Sequence, residues 1–533
     1  MIFAAIWPQP LDPLHSLALS ALVAAIPLFI LLILMGIFRK GGLFSSACGL
    51  GATAILAAAV WRMPVSLAGW TVVFGAAYAL WSILWLVFCA IWLYNLSVAT
   101  GSFDLLRQWI EQYASGDACI QAMLVAFCFG ALLEGSAGFG APVAVTAFLL
   151  VGLGFSPRKS LTVSLLANTT PVAFGAVGVP IVALAGVTGL EIGKLSAMVG
   201  RQLPFLCLIL PAYLALLVAG GKGLRRSWPA AAVAGVSFAG AQFLVSNFWG
   251  PYAADIASSL VSMAAMVAFL RVWRPKSDSA EVAAKNPGKF SGAAIFTAWI
   301  PWAALSVVMG LWSYLKWFSH GQIAIPIPSL NDGVLITLYD KPYAAIFNFQ
   351  PLVAGTGVLV TTLISAVFLR ARPRIVLESG AKTFRQLRVP GLTVILIVAL
   401  AYLYNYSGMA FTLGAAVAHL GGIFPIVSSY LGWVVCFLSG SDTAANLLFG
   451  NLQVAAAHQL HLNPVLMAAT NSSGAVMGKM ISPQNIAVGV TTVGMIGEEG
   501  KILQSTFWHS ILLAALVGLL AYAQAYWIPG MVP

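Results

Sequence analysis

Apolar runs of about 20 residues recur almost end to end along this chain, each long enough to cross the hydrocarbon core of a bilayer as a helix. With re-entrant pieces included, the pattern predicts about 12–14 transmembrane helices and an all-α polytopic membrane protein. The first run, Ala18 to Phe38, stops at Arg39-Lys40, and the second covers Leu43 to Trp61. An aromatic stretch from Ser66 to Leu96 leads into Gly101–Asp117, where Asp104, Arg107 and Glu111 alternate with Leu105, Leu106, Trp109 and Ile110. That spacing suits a helix lying along the membrane surface, or an ordinary solvated loop helix.

Four polar, glycine-rich breaks interrupt the apolar pattern. They are Leu133–Pro142, Ala167–Pro171, Ser439–Thr443 and Thr470–Gly474, the last running on to Lys479 and Pro483. Such a break at membrane depth must be buried in protein or line a watery cavity, because its freed backbone groups find no partner in lipid. The breaks form two copies of one pattern. Asn168 precedes Gly175 and Pro180 by 7 and 12 residues, and Asn471 precedes Gly478 and Pro483 by the same offsets. Upstream, Leu133-Glu134-Gly135-Ser136 matches Leu438-Ser439-Gly440-Ser441, with Ser136 and Ser441 lying 32 and 30 residues before their asparagines. Paired interruptions in two halves of a membrane chain point to a transporter's binding site. The expected architecture is two inverted repeats with re-entrant hairpins and broken helices, the four breaks meeting near the midplane.

Composition supports the membrane reading: 60% of residues are hydrophobic, 8% are charged, and mean hydropathy is +0.94. The net charge of +11 is read as Lys and Arg concentrated in cytoplasmic loops rather than as a nucleic-acid surface. On that rule both termini are extracytoplasmic. The first residues lack a basic start, so Ala18–Phe38 is read as a retained span rather than a cleaved signal. The expected divisions are N-terminal scaffold spans with a surface helix at 1–117, a first broken hairpin unit at 118–190, and further spans at 191–270. A cytoplasmic linker at 271–290, scaffold spans at 291–422, a second broken hairpin unit at 423–495 and a last span at 496–533 complete the chain. The loop Ser319–Pro342 is placed outside. Trp and Tyr are assigned to interfacial belts. The six cysteines show no metal-ligand spacing and are read as reduced packing residues.

Of fifteen acidic residues, only Glu134 and Asp442 fall inside broken apolar segments; the turn Asn247–Asp255 and the other acids are assigned to loops or termini. An intramembrane carboxylate is a functional candidate by default, and one in apolar surroundings suits proton exchange near neutrality. Glu134, among Ala131, Leu132, Leu133 and Phe139, is the expected proton carrier. Asp442, beside Gly440, Ser441 and Thr443, is its expected partner, held ionised, or its substitute as carrier. The plainer reading, a carboxylate capping a half-helix, does not exclude coupling. Lys479 is the one cation in a break and can pair with Asp442, Glu134 or an anionic substrate; snorkelling to the interface is its plainer role. Candidate substrate contacts are Gly135, Ser136, Gly138, Asn168, Thr169, Thr170, Ser441, Thr443, Asn471, Ser472, Ser473, Lys479 and Gln484, whose amides and hydroxyls sit beside half-helix ends suited to a carboxylate. Arg201 reads as an interfacial anchor, and His458 and His461 as solvated. No cofactor, metal site or nucleic-acid surface is expected. H⁺ is the expected coupling ion, with Na⁺ open because Ser, Thr and Asn oxygens also suit it.

The motifs Glu134-Gly-Ser-Ala-Gly-Phe-Gly-Ala-Pro142, Ala167-Asn-Thr-Thr-Pro-Val-Ala-Phe-Gly175, Gly440-Ser-Asp-Thr443 and Gly478-Lys-Met-Ile-Ser-Pro-Gln484 resemble the bacterial L-lactate permease family, whose glycolate-transporting members share the pattern. The resemblance covers nearly the whole chain, including Gly200–Phe205, Trp228–Ala230 and Gly240–Phe243. It implies proton-coupled uptake of L-lactate, D-lactate and glycolate across the plasma membrane, the inner membrane in a Gram-negative cell. It also implies kinship with two-repeat anion transporters that move as elevators. The partners are then a small monocarboxylate and the lipid bilayer, with a homodimer left open. Ser136, Ala444-Ala445, Ser472-Ser473 and Met477 depart from the family pattern close to the presumed site and bear on which hydroxy acid is preferred. The alternatives carried are a sodium-coupled carrier of another organic anion, a channel, and a membrane-embedded enzyme.

Overall fold

A computed structural model describes residues 6–114, 116–136, 138, 141–273 and 291–533. The expected linker at 271–290 lies outside the described residues from residue 274 onward, as do Ala137, Phe139 and Gly140. Helices α1 (Leu17–Gly36), α2 (Gly42–Ala59) and α3 (Val65–Ala99) open the chain. The amphipathic segment is a helix, α4 (Ser102–Ala114). It turns Phe103, Leu106, Trp109 and Ile110 inward, with Phe103 stacked on Phe129 and Trp109 edge-on to Trp299.

The first hairpin follows as α5 (Ala118–Ser136) and α6 (Ala141–Gly152). A broken helix comes next, α7 (Pro157–Ala167) and α8 (Gly175–Thr188), with a bend of 64° between them. Helix α9 (Ile192–Val199) leads into α10 (Leu203–Phe248), which is two antiparallel arms. It folds back at Ala219–Gly220, where Gly220 has φ +65°, so that Gly235 meets the Leu208 carbonyl. In a straight helix these two residues would stand about 40 Å apart. Helices α11 (Ala254–Val272), α12 (Gly292–Tyr314), α13 (Ala354–Phe368), α14 (Pro373–Tyr406) and α15 (Met409–Val417) follow. The second hairpin is α16 (Phe424–Ser439) and α17 (Asp442–Gln459). The second broken helix is α18 (Pro464–Lys479) and α19 (Pro483–Thr492), and α20 (Glu499–Tyr526) ends the membrane part.

Each half therefore carries a hairpin followed by a broken helix. Among the described residues ten helices are long and apolar enough to span, or eleven with the bent pair. The larger number read from sequence counts hairpin arms and half-helices that this criterion merges or omits. Helices α16, α18 and α20 pack on one another, while α2 and α3 pack along α14. Contacts between α8 and α17 join the two halves.

Two expectations are corrected. The loop 319–342 holds three short strands, β2 (Ile323–Pro326), β3 (Val334–Ile336) and β4 (Lys341–Pro342); β5 (Ile346–Phe349), just beyond it, pairs with β2, and β1 (Trp7–Pro8) runs parallel to β3. Strands this short show no alternation for a sequence pattern to reveal. Nor do all tyrosines form interfacial belts. Tyr402, Tyr404 and Tyr406 are buried, and Tyr343 stacks on Tyr406 with ring centroids 4.0 Å apart.

Candidate substrate site

Both hairpins turn on a left-handed glycine, Gly138 (φ +57°) in the first and Gly440 (φ +72°) in the second. The sequence match had paired Gly135 with Gly440. Helix α5 instead continues through Ser136, which leaves Gly135 inside the helix and moves the tip one turn on. Past the second tip, the Ser441 hydroxyl accepts from the Ala444 N–H and caps α17, placing Asp442 in its first turn. In the first broken helix, Ala176, Val177 and Gly178 all take left-handed backbone angles. For a β-branched residue such as Val177 that conformation is a true outlier, with a cost of about 1–3 kcal/mol that the surrounding packing must hold in place.

The charged groups of the breaks meet across the two halves. Lys479 Nζ lies 2.6 Å from Glu134 Oε1, the two side chains being 7% and 3% exposed. The other Glu134 oxygen accepts from Asn168 Nδ2 at 2.9 Å. The lysine is thus taken by Glu134 and not by Asp442. Sequence left both carboxylates open as partners of the lysine, and the structure pairs it with Glu134. Asp442 Oδ2 accepts from the Ser472 hydroxyl at 2.8 Å, and its Oδ1 has no hydrogen-bond partner. Asn446 ties the halves together by donating to the Pro180 carbonyl and to Ser472 Oγ, while Asn471 donates to Asn446 Oδ1.

Glycine at position 175 makes room for this pair, since a Cβ there would stand 2.8 Å from Glu134 Oε1. Gly175→Ala should push the carboxylate off Lys479. An overpacking cost of about 1–3 kcal/mol is expected, read as a lowered melting temperature of the purified protein. An unchanged melting temperature and substrate affinity would show that the pair tolerates displacement.

The breaks enclose a cavity of about 380 Å³, within the usual range of roughly 300–1,000 Å³ for small-molecule sites. One wall carries Glu134, Gly138, Ser441, Asp442, Thr443, Lys479 and Gln484. The facing wall is apolar apart from Thr393 and comes from α1, α3 and α14 through Met35, Ile83, Val87, Pro390 and Ile397.

Other sequence candidates sit behind this surface. Asn168 and Ser472 hold the two carboxylates. Asn471 braces α17, and Ser473 is buried with no partner for its hydroxyl. Ser136 spends its hydroxyl on the Leu132 and Leu133 carbonyls. Thr169 and Thr170 line a separate apolar groove beside Leu206 and Leu512. Gly135 packs on Asp255 rather than on the cavity. Arg201 donates to Asn247 Oδ1 and the Met531 carbonyl, a structural tie.

Sequence reading missed several polar groups, Thr393 of the facing wall among them. Ser439 and Asn485 line the cavity, and Asn446 lies one turn after Asp442 on the same helix face. It also misplaced Asp255, assigned to a loop turn but in fact 1% exposed in the first turn of α11.

The family model for L-lactate permease matches residues 20–528. The chain belongs to the L-lactate permease family. It is 40% identical to the glycolate permease GlcA of Escherichia coli K12 over 98% of this chain and 99% of that protein. It is likewise 40% identical to the L-lactate permease of Salmonella typhimurium LT2, over 99% of this chain and 100% of its relative. Among solved structures, Neisseria gonorrhoeae MtrF, described within a class of antimetabolite efflux pumps, aligns with 84% of this chain and 82% of its own at 13% identity. Its TM-score of 0.45 is too low for any detail to be carried across. The protein is a multi-pass membrane permease and not an enzyme.

Proposed function

We propose that this protein takes up L-lactate, D-lactate and glycolate together with protons across the plasma membrane. In this reading the substrate carboxylate and Glu134 compete for Lys479. The observation that carries it is the buried Glu134–Lys479 pair on the wall of the cavity formed by the breaks. The names of its relatives supply the substrate class.

The coupling follows from charge. In the empty site Glu134 neutralises Lys479. A monocarboxylate that takes the lysine leaves a buried carboxylate without its counter-ion, at a cost of several kcal/mol, and a proton on Glu134 removes that cost. The empty site and the site holding both anion and proton then carry the same net charge, whatever the state of Asp442. Anion alone or proton alone leaves one uncompensated charge, so neither crosses readily.

The hairpins and broken helices move as an elevator against the wall of α3 and α14, which is apolar apart from Thr393 and carries no charge. The basic segment 370–388 marks the cytoplasmic side. The first cavity touches α14 at Val389 and Pro390, beside that segment, and is the inward-facing pocket.

Uptake of labelled L-lactate, D-lactate and glycolate into proteoliposomes tests this. Accumulation is expected under an inward proton gradient and not under a sodium gradient alone. Accumulation driven by sodium, or uptake that responds to neither gradient, would overturn the coupling.

A further inference from the structure

Asp255, like Asp442, is a buried acid that the coupling scheme above leaves unused. It lies in the first turn of α11 and is 1% exposed, with Oδ1 accepting from Gln242 Nε2 at 3.2 Å and Oδ2 unpartnered among the described residues. Among the described residues this carboxylate makes no ion pair. A buried carboxylate without a counter-ion costs several kcal/mol, so it persists where its proton has work to do or where strong donors replace water. Here the support for a charged form is partial, one amide and the N-terminal end of α11.

Its position is specific. A Cβ on Gly135, the residue after Glu134, would stand 2.9 Å from the Asp255 Cβ, so α11 packs directly on the helix turn that carries the ion pair. Glu134 and Lys479 are both within electrostatic reach of Asp255. From α10 the nearest titratable group is the Cys207 thiol, which donates to the other end of Gln242. From the loop before α11 it is Tyr252, three residues upstream.

Tyr252 lines a second cavity of about 450 Å³, together with Tyr78, Val182, Gly186, Tyr343 and Tyr402. This cavity carries no Lys, Arg, Asp or Glu among its described lining residues. The two cavities are stacked along the same helices. Helix α8 meets the first at residues 175–180 and the second at 182–188, and α14 meets them at 389–397 and 402–406. Asp255 lines neither cavity itself; it lies three residues after Tyr252, which lines the second, and packs on Gly135, next to Glu134, which lines the first.

We propose that Asp255 is the proton-receiving group on the side of the second cavity and passes its proton to Glu134. The inference rests on proton-coupled transport through the Glu134–Lys479 pair. A proton from water in the second cavity bonds to an Asp255 oxygen, giving the neutral acid. When a substrate carboxylate takes Lys479, that proton moves to Glu134, and a further proton from the second cavity returns Asp255 to the neutral acid, so that one proton is taken up per substrate. No charge is created or lost in the transfer. Asp255 is thus a positioning and relay residue, with no contact to the substrate.

The test uses the full chain in sealed proteoliposomes with a trapped pH dye, comparing wild type, Asp255→Asn and Asp255→Glu with labelled glycolate and L-lactate. In Asp255→Asn, counterflow of labelled substrate is expected to persist, while accumulation under a proton gradient and substrate-induced internal acidification are both lost. Asp255→Glu, which keeps the acid, is expected to restore both. Normal accumulation and acidification by Asp255→Asn would overturn the inference alone. So would loss of counterflow in both variants, which would make Asp255 a structural brace. Absence of substrate-induced acidification in wild type would overturn the coupling reading, and this inference with it.

Discussion

Lys479→Met is expected to weaken monocarboxylate binding by at least about 30-fold, the low end of the 2–5 kcal/mol lost when one member of a buried charge pair is truncated. Two separate penalties are built into that variant. The substrate anion enters the cavity without its counter-ion, and Glu134 loses the ammonium 2.6 Å from its Oε1. Combining Lys479→Met with Glu134→Gln separates them, because the amide removes the orphaned charge. The double variant should recover the melting temperature of the wild type and still fail to bind or take up L-lactate or glycolate. If the double variant recovers uptake as well, Lys479 serves only to neutralise Glu134, and the substrate carboxylate must be held elsewhere, for instance at the Ser441 cap of α17. Equilibrium binding of labelled substrate to purified protein, with thermal melts alongside, distinguishes these outcomes.

The breaks were legible in the sequence because glycine, proline and paired polar residues cannot face lipid, and because Asn168 and Asn471 head identical offsets. The pairing between them was not. Lys479 lies 345 residues from Glu134 and only 37 from Asp442, and nothing local to any of the three states which carboxylate folds against the lysine. Asp255 was hidden for a different reason. It follows Gly250-Pro251-Tyr252, a turn signal, so it read as the end of a loop, whereas the helix starts at Ala254 and carries it inside. The apolar wall facing the site was equally invisible, since Met35, Ile83 and Ile397 look like any residues of a spanning helix until a cavity is placed beside them. The tyrosines of the second cavity misled by type. An aromatic ring with a polar tip suits the membrane interface, but Tyr78 and Tyr402 instead donate their hydroxyls to the Val182 and Gly186 carbonyls of α8.

Glu134→Gln should abolish accumulation against a gradient while substrate exchange survives at a reduced rate. The argument is one of charge in the moving unit. With glutamine at 134, Lys479 has no anion when the site is empty, so the empty unit carries an uncompensated positive charge and returns slowly. The loaded unit carries Lys479 with the substrate carboxylate and remains neutral. Exchange, in which every crossing is loaded, continues; net uptake, which needs the empty return, stops. Two further consequences follow from the same competition. Substrate binding should tighten, because the anion no longer has to displace a carboxylate held also by Asn168. The pH dependence of binding should also disappear. In the wild type, loading the anion requires a proton on Glu134, so apparent affinity falls as pH rises; in Glu134→Gln no proton is taken up and affinity should stay level. Binding isotherms across a pH series, measured beside counterflow and proton-driven accumulation, give all three readouts on one preparation. Accumulation at the wild-type level, or an affinity that still weakens with rising pH, would remove the proton from Glu134 and leave Asp442 or Asp255 to carry it.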